Sequence, residues 1–265
     1  MTGTAVTQTL SEQTPGSWTA AEVKRAAGTL VAPFRSAIQG LSYENKGILH
    51  SEMLFLLACS RVRPFGRILE SGRARAQSTR VLAALFPDRP IVSVEFDPNS
   101  PDVAVAAARL KGLSNVELLF GDSMTLLPQK LQDGDLVIID GPKHFRSLRL
   151  ALKLLATGKP SFVFVHDLHR PTPERDYLAR YLPDTLFSDE PAFVERFRSL
   201  DEECWALRDA SGSEGWKPHW FEGREMESYG PTLACIPGRR ERPWAFLGLA
   251  LMMSQTWAKV KRKLR

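Results

Sequence analysis

Short apolar runs alternate along the middle of the chain with longer segments in which apolar residues recur at helical spacing. Each of five such runs is dense in Val, Ile, Leu or Phe and is followed by a helical segment. Continuous apolar runs are typical of strands covered on both faces, and their alternation with helices is typical of a parallel sheet with crossover helices. The predicted strands are residues 66–71, 90–97, 116–122, 135–140 and 161–167, and the helices that follow them are about 77–86, 102–111, 123–131, 144–156 and 173–181.

The segments that flank this alternation complete the predicted fold. Residues 46–62, KGILHSEMLFLLACSRV, predict one further helix before the first strand. After Pro183 the alternation fades, and two shorter segments, FVERFRSL (193–200) and PTLACIP (231–237), predict strands that close the edge of the sheet. The predicted fold class is therefore α/β, with a mostly parallel seven-stranded sheet and helices on both of its faces.

The chain divides into three predicted parts. Residues 1–20 are polar and rich in Thr and predict a flexible leader, residues 21–240 a single α/β domain, and residues 241–265 an apolar and basic C-terminal helix. The segment DASGSEGWKP (209–218) is short enough to be an exposed loop within that domain. The leader lacks the basic and apolar regions of a secretory signal, and the three dispersed cysteines form neither a zinc spacing nor a disulfide framework. These features predict a cytoplasmic protein.

The net charge of +5 is concentrated at the end of the chain. The last seven residues, KVKRKLR, contain five Lys or Arg and no acid, which leaves 30 basic and 30 acidic residues elsewhere. A neutral body of this kind does not favour a nucleic-acid partner. Before the basic tail, the 14 residues from Trp244 to Trp257 are predominantly apolar and too few to span a bilayer. They predict either a peripheral membrane contact beside anionic lipid, or a helix packed on the domain or in a homodimer.

All five predicted strands end at or beside acidic residues. In an open parallel sheet, ligands bind outside the carboxyl ends of the strands. An acid at such a position either caps the following helix, is solvated, or contacts a ligand. Glu95 lies roughly 25 residues after the acid of the first strand, where a carboxylate can accept hydrogen bonds from the ribose hydroxyls of an adenosine cofactor. The candidate positions are Glu70, Gly72, Glu95, Asp97, Asp122, Ser123, Asp140, Lys143, His144, His166, Asp167 and His169.

The first strand runs into the sequence ESGRARAQS, which ends at Ser78. This stretch resembles the loop E-x-G-x-x-x-G-x-S of class I S-adenosylmethionine-dependent methyltransferases, in particular the small-molecule O-methyltransferases of the catechol type and related bacterial proteins. Glu70, Gly72 and Ser78 match that loop, whereas Ala76 replaces its second glycine. The resemblance covers about residues 46–170 and implies the methyltransferase version of the predicted α/β fold for the main domain.

The resemblance implies S-adenosylmethionine as the cofactor and assigns further residues to its site. The acid that binds the ribose in this family corresponds to Glu95, and the loop against the adenine corresponds to Asp122 and Ser123. The fourth strand of the family ends in an Asp followed three residues later by a Lys. The sequence VIIDGPKH has this spacing and places Asp140 and Lys143 beside the cofactor and the methyl acceptor.

The same residues predict a chemistry. A hydroxyl becomes a good nucleophile when its proton is removed, so Lys143 with a lowered pKa can act as a general base, and a divalent cation such as Mg²⁺ or Mn²⁺ would lower the pKa of the hydroxyl itself. The resemblance implies Asp140 and Asp167 as the metal ligands. The Asn ligand that follows in the family is replaced by Leu168. The imidazoles beside Asp167, those of His166 and His169, suit Fe, Mn or Zn better than Mg²⁺.

The first loop leaves two questions open. Glycine is required where φ is positive or where backbone approaches a ligand closely, so the methyl of Ala76 either narrows the space for the methionine part of the cofactor or, at a negative φ, merely shifts it. Arg73 and Arg75 are either solvated charges or contacts for the cofactor carboxylate or an acidic acceptor.

Three classes of function follow from these patterns. The first is a methyltransferase that acts on a hydroxyl of a small molecule or glycoside, with or without a divalent metal. The second is a methyltransferase-like scaffold or binding protein without catalysis, for which Ala76 and Leu168 are the signals. The third is a nicotinamide-dependent oxidoreductase, disfavoured because G-x-G-x-x-G is absent. A nucleic-acid substrate is disfavoured because DGPKHF stands where an Asn or Asp-Pro-Pro-aromatic motif would follow the fourth strand.

Overall fold

A seven-stranded sheet with helices on both faces forms the body of the protein. The computed structural model describes residues 19–44, 47–210, 228–239 and 241–263. The strands are β1 (Ile68–Ser71), β2 (Ile91–Glu95), β3 (Val116–Phe120), β4 (Leu136–Ile139), β5 (Phe162–Val165), β6 (Leu186–Phe187) and β7 (Ala234–Pro237). The helices are α1 (Ala20–Ile38), α2 (His50–Ser60), α3 (Gln77–Leu85), α4 (Asp102–Leu110), α5 (Ser123–Lys130), α6 (Phe145–Leu155), α7 (Pro173–Tyr181), α8 (Pro191–Phe197), α9 (Glu202–Ala210) and α10 (Trp244–Lys263).

The order of the strands is β3-β2-β1-β4-β5-β7-β6. The first five pair in parallel, and β7 pairs antiparallel with both β5 and β6. The order reverses between β1 and β4, so the carboxyl ends of these two neighbouring strands form the position where an open sheet of this kind binds ligands. The predicted α/β fold class, with a mostly parallel seven-stranded sheet and helices on both of its faces, is confirmed.

The strand side chains alternate between two apolar cores. In β4, Ile138 packs into the core that α1, α2, α3 and α8 share, whereas Ile139 packs into the core formed with α6, α7 and α10. Every residue of β1, β4 and β5 is buried. Burial on both faces is the reason why these strands have continuous apolar sequences and could be predicted from them.

One predicted strand is wrong. Residues 193–200 form the end of α8 and a 3₁₀ turn (Arg198–Asp201) instead of an edge strand. Pro191 occupies the first turn of α8, and the Glu190 carboxylate caps the helix by accepting the N–H of Phe193 at 2.9 Å. The buried residues Phe193, Val194 and Phe197 recur at helical spacing, which outweighs the β propensity of the segment. The edge strand β6 lies earlier in the chain, and the other predicted strand, 231–237, contains β7.

The ends of the chain are described in part. Of the predicted leader, residues 1–18 lie outside the described residues; Thr19 caps α1, which begins at the last residue predicted for the leader. Of the predicted loop 209–218, residues 211–218 also lie outside them. The predicted domain boundaries therefore stay predictions. Among the described residues, no helix is both long and apolar enough to cross a bilayer.

Candidate active site

The loop after β1 brings backbone close to the loop after β4. Gly72 has a φ of +89°, and a Cβ atom at this position would lie 2.6 Å from the backbone nitrogen of Gly141. Only glycine fits this approach. Ala76 also has a positive φ, 62°, in the left-handed region that glycine adopts without strain. Its methyl group is fully buried against Ala106 and Leu110 of α4, so it packs away from the crevice described below and does not narrow it.

The Glu70 carboxylate is satisfied entirely by hydroxyl groups of the protein. It accepts hydrogen bonds from Ser78 Oγ at 2.6 Å, Thr79 Oγ1 at 2.5 Å and Ser93 Oγ at 2.6 Å. Burial raises the pKa of Glu70, and the three hydrogen bonds only partly oppose that effect. Of the predicted cofactor residues, Glu70 and Ser78 therefore bond to each other, where they join β1, β2 and the first turn of α3.

Glu95, at the end of β2, holds the first loop in place. Its carboxylate accepts the backbone N–H of Ala74 at 2.8 Å and the N–H of Phe96 at 2.7 Å. The side chain is partly exposed, and the ring of Phe96 beside it is 67% exposed. A carboxylate has about four lone-pair positions, so Glu95 retains acceptor capacity toward a ligand at this edge.

The start of α5 lies at the same edge of the sheet. Asp122 caps the helix by accepting the N–H of Met124 at 3.0 Å, and it also accepts a hydrogen bond from Arg146 Nη2 at 3.1 Å. The hydroxyl of Ser123 is 2.5 Å from that of Ser71 at the end of β1. Asp122 and Ser123 thus take structural roles in the described contacts, and their predicted contact with the cofactor stays a prediction.

Four side chains at the ends of β4 and β5, together with Glu52 of α2, form a chain of charged groups. The Nζ of Lys143 lies 2.6 Å from Asp140 Oδ1 and 2.6 Å from Asp167 Oδ2. His166 Nδ1 lies 2.7 Å from the same Asp140 oxygen, and His166 Nε2 lies 3.3 Å from Glu52 Oε2 of α2. Lys143 and Asp167 are partly exposed at the surface of the site, whereas His166 and Glu52 are buried beneath it. We refer to Glu52, His166, Asp140, Lys143 and Asp167 as the charged cluster.

In the charged cluster, the neighbouring charges shift the pKa values more strongly than burial does. Burial alone would raise the pKa of Asp140, but the charges of His166 and Lys143 hold it well below its usual range. Burial would lower the pKa of His166, but Asp140 and Glu52 raise it well above its ordinary value. Asp140 and Asp167 likewise raise the pKa of Lys143 against the effect of burial. The lowered lysine pKa expected from the sequence is therefore wrong for this arrangement, in which Lys143 is an ammonium ion between two carboxylates.

The predicted metal ligands come together with an ammonium group between them. Ligand atoms of Asp140, His166 and Asp167 lie within 4.8 Å of one another, and His169 is not part of that group. Both ring nitrogens of His166 face carboxylates, and Lys143 already bridges the two aspartates. A divalent ion would have to displace this ammonium, so the arrangement does not fit a metal as it stands. The predicted metal site stays a prediction, and no catalytic step below depends on it.

A small polar crevice opens beside the charged cluster. Both amide atoms of Gln77 are buried in it and have no hydrogen-bond partner among the described residues. Arg73 is buried and donates to the Ser93 carbonyl at 2.8 Å, so it is not a solvated charge. Arg75 is exposed and forms ion pairs with Glu44 and Asp102. The crevice is lined by Glu44, Gly47, Gly72, Arg73, Arg75, Gln77, Ser78 and Asp140. Three of the predicted cofactor residues, Gly72, Ser78 and Asp140, thus line this crevice. The unpartnered amide of Gln77 within it fits a polar ligand.

Unusual backbone conformations concentrate at this edge of the sheet. Five non-glycine residues with positive φ are found in the described parts of the chain, and four of them lie in loops that follow β1, β4 and β5: Ala74, Ala76, His144 and Asp167. Such conformations cost of order 1–3 kcal/mol each and persist where the surrounding structure fixes them, often at functional sites. The loops that carry the candidate residues are therefore held in defined, strained positions.

Two residues of the site were not identified from the sequence. Glu52 is 2% exposed and stands in the otherwise apolar sequence EMLFLLAC of α2, and a lone carboxylate in an apolar helix is the signal that could have indicated it. Gln77 is the first residue of α3 and gives no comparable signal, because its lack of a partner follows only from the packed structure.

Comparisons with known proteins find similarity in structure. No family model and no curated protein matches the chain. A methyltransferase from Podospora anserina solved with S-adenosylhomocysteine is 15% identical, covers 79% of this chain and 87% of its own, and gives a TM-score of 0.44. The O-methyltransferase TomG from Streptomyces achromogenes, solved with S-adenosylmethionine, is 19% identical, covers 84% and 97%, and gives a TM-score of 0.41. At these identities the likeness is one of fold alone.

Proposed function

We propose that the protein is an S-adenosylmethionine-dependent methyltransferase that acts on a hydroxyl group of a small molecule or glycoside. The observation that carries this proposal is the juxtaposition at the reversal of strand order. There the glycine loop after β1 lies against the end of β4, with Glu95 on one side and the pair Asp140 and Lys143 on the other. The proposed cofactor site and the charged groups proposed to act on the acceptor thus share one edge of the sheet.

The residues present fit S-adenosylmethionine. Its ribose hydroxyls are donors for the Glu95 carboxylate, and its adenine is an apolar plane for the exposed ring of Phe96. Its amino-acid part carries both hydrogen-bond donors and acceptors. These could pair with the buried amide of Gln77, which has no partner among the described residues. Gly72 permits close approach of the ligand because it has no Cβ atom. When bound, S-adenosylmethionine supplies an electrophilic methyl group for the acceptor oxygen.

The charged cluster supports activation of the acceptor. Lys143 is protonated between two carboxylates, so it cannot accept a proton until it has lost one. We propose that Asp167, which is one-third exposed, accepts the proton of the acceptor hydroxyl. The Lys143 ammonium then stabilises the negative charge that develops on the oxygen. Asp140 holds Lys143 in position, and the buried pair of His166 and Glu52 supports Asp140 from below.

The first test is isothermal titration of the protein with S-adenosylmethionine and, separately, with NADH. We expect binding of S-adenosylmethionine that weakens on the order of 100-fold in Glu95→Ala, since two charge-assisted hydrogen bonds are lost. Asp97→Ala is the matched control, because Asp97 is an exposed acid at the same edge. NADH binding in place of S-adenosylmethionine would favour the oxidoreductase class, and binding of neither by the folded protein would contradict both enzyme classes.

A second test separates the two roles open to Lys143. Release of S-adenosylhomocysteine is measured over a panel of hydroxylated small molecules for Lys143→Arg and Lys143→Met. Arginine keeps the positive charge but cannot act as a base. If Lys143 stabilises charge, Lys143→Arg keeps clearly more turnover than Lys143→Met, whereas equal losses would identify Lys143 as the base. Binding of the cofactor without turnover of any acceptor would favour the scaffold class.

A further inference from the structure

Helix α10 has an outer face that is apolar and exposed. Its inner face packs on α6 and α7 through buried side chains, including Leu247 and Leu251, and the hydroxyl of Tyr177 donates to the Leu247 carbonyl at 2.7 Å. Six apolar side chains on the opposite side are between 41% and 65% exposed. Apart from the adjacent pair Met252 and Met253, they recur at steps of three and four residues, so they form one broad stripe along the helix. We call this stripe the outer face: Phe246, Leu249, Met252, Met253, Trp257 and Val260.

Positive charge lies at both ends of the outer face and none lies within it. Residues 244–258 contain no charged side chain. Lys259 and Lys261 are exposed in the last turns of the helix, and the Lys261 ammonium lies 5.6 Å from the centre of the Trp257 ring. The sequence GRRERP before the helix adds three arginines and one glutamate. The apolar stripe is therefore framed by cations.

The neighbouring helices α6 and α7 also carry basic side chains close to α10. On α6, Arg149 is exposed and donates to Gln255 of α10 at 3.0 Å. On α7, Arg180 lies over the ring of Tyr181, which in turn contacts the ring of Phe246 at a centroid distance of 6.1 Å. One basic side chain of each neighbouring helix thus lies beside α10, in addition to the basic residues at the ends of the outer face.

We propose that the outer face of α10 binds the surface of a membrane that contains anionic lipid. A helix of 20 residues is about 30 Å long and can lie in the plane of the interface, with apolar side chains among the upper acyl chains and lysines and arginines at the phosphates. Trp is favoured at that depth because its ring is apolar and its N–H is polar. The inner face stays on the domain, so the site at the strand ends would be held beside the membrane.

A second copy of the chain is a poorer partner for this face. In a parallel pair of α10 helices, the basic ends that contain Lys259 and Lys261 would lie side by side. In an antiparallel pair, each basic end would meet the segment of the partner that contains Arg239 and Arg242. Those two arginines share a single acid, Asp184, so that segment keeps positive charge. Both arrangements juxtapose like charges, whereas anionic headgroups neutralise them.

The proposal is tested by co-sedimentation of the full chain with lipid vesicles. Vesicles of phosphatidylcholine mixed with phosphatidylglycerol are compared with vesicles of phosphatidylcholine alone, at low and at high salt. We expect binding to the anionic vesicles that weakens as salt rises, and little binding to the neutral ones. Lys259→Gln with Lys261→Gln should weaken binding on the order of 20-fold, because each basic residue near the surface contributes a few-fold.

The apolar contribution is tested with a double variant, Met253→Ser with Trp257→Ser. We expect it to lose binding while keeping the wild-type circular dichroism. The matched control is Val62→Ser with Leu207→Ser, which removes two apolar side chains of 43% and 40% exposure from other elements. Equal loss in both double variants would overturn the proposal. So would an absence of vesicle binding together with a dimer, seen by light scattering, that Met253→Ser dissociates. None of these measurements depends on a cofactor. Their outcome is therefore independent of whether the proposed methyl transfer is correct.

Discussion

Two carboxylates at neighbouring central strands, Glu70 fully buried and Asp140 largely buried, have pKa values that are shifted in opposite directions. Glu70 in β1 accepts hydrogen bonds from three hydroxyls, and burial raises its pKa. Asp140, directly after β4, faces His166 and Lys143, which hold its pKa well below the usual range although burial opposes them. The two groups share their chemistry and their place in the fold. The directly bonded partners account for much of the difference, because those of Glu70 are neutral hydroxyls whereas those of Asp140 carry positive charge.

Under the proposed function, this difference separates an acid with a structural role from an acid with a chemical role. The Glu70 carboxylate bonds only to groups of the protein and fixes the start of α3 against β1 and β2. Asp140 belongs to a cluster whose outer members, Lys143 and Asp167, reach the surface of the site. Strand-end acids in one sheet therefore need not share a role, and their partners indicate which of them faces a ligand.

The largest effect on the free energy of unfolding is expected when Asp140 loses its charge and its ion pairs with His166 and Lys143 are broken. Asp140→Asn should lower the free energy of unfolding by about 3–5 kcal/mol, because it leaves the buried His166 cation without its closest carboxylate. Asp167→Asn is the matched control in the same cluster. Its carboxylate is 34% exposed, so its loss should cost less than about 1 kcal/mol. Urea unfolding measures both values, and equal losses would contradict the assigned difference between the two aspartates.

An intermediate effect is expected in the dependence of stability on pH. The lowered pKa of Asp140 contributes stability that is present above the ordinary value of 3.8 and is lost as the pH falls below it. The raised pKa of Glu70 acts in the opposite direction, since stability is lost as the pH rises above the ordinary value of 4.5. Each slope is limited to about 1.4 kcal/mol per pH unit.

These opposite slopes are measured by urea unfolding from pH 3 upwards. The difference between wild type and Asp140→Asn should shrink towards low pH, and Glu70→Gln should remove the decline attributed to Glu70. Asp88→Asn, on an exposed acid, is the control for general effects of charge. Slopes of the same sign for the two variants would contradict the assignment.

The order and type of the central elements could be predicted from the sequence because burial on both faces requires continuous apolar strands. Periodicity also predicted the helices between them. Residues 193–200 were predicted wrongly, because Phe193 and Phe197 favour a strand by composition and a helix by spacing, and only packing decides between the two. The positions of the strand-end acids were predicted correctly for the same topological reason that places ligands there.

The partners of those acids could not be predicted. Glu70 bonds to hydroxyls that lie 8, 9 and 23 residues away, and Glu52 meets His166 across 114 residues. Nothing in a local pattern specifies such distant pairs. The pKa of Lys143 was predicted in the wrong direction for this reason. The spacing from Asp140 to Lys143 is visible in the sequence, whereas the contact with the second carboxylate, that of Asp167 at 2.6 Å, is not.

The smallest effect is expected at Ala76, where the glycine of the resembled loop is replaced. Its backbone has a φ of 62° and a ψ of 30°, which costs an alanine about 1–2 kcal/mol relative to glycine. Ala76→Gly removes that strain. It also removes a buried methyl worth about 0.8 kcal/mol and gives the unfolded chain more freedom, by about 0.4–1 kcal/mol. These terms nearly cancel, so the free energy of unfolding should change by less than about 0.5 kcal/mol.

The affinity of the Ala76→Gly variant for S-adenosylmethionine is the second measurement at this position. The methyl of Ala76 faces Ala106 and Leu110 and not the crevice, so Ala76→Gly should leave the affinity within about two-fold of wild type. Gly72→Ala is the contrasting control in the same loop, because its Cβ would lie 2.6 Å from the Gly141 nitrogen and must displace backbone at the site. A large gain in affinity in Ala76→Gly would instead show that this methyl restricts the cofactor. The substitution of alanine for the glycine of the resembled loop would then have a functional effect as well as a conformational one.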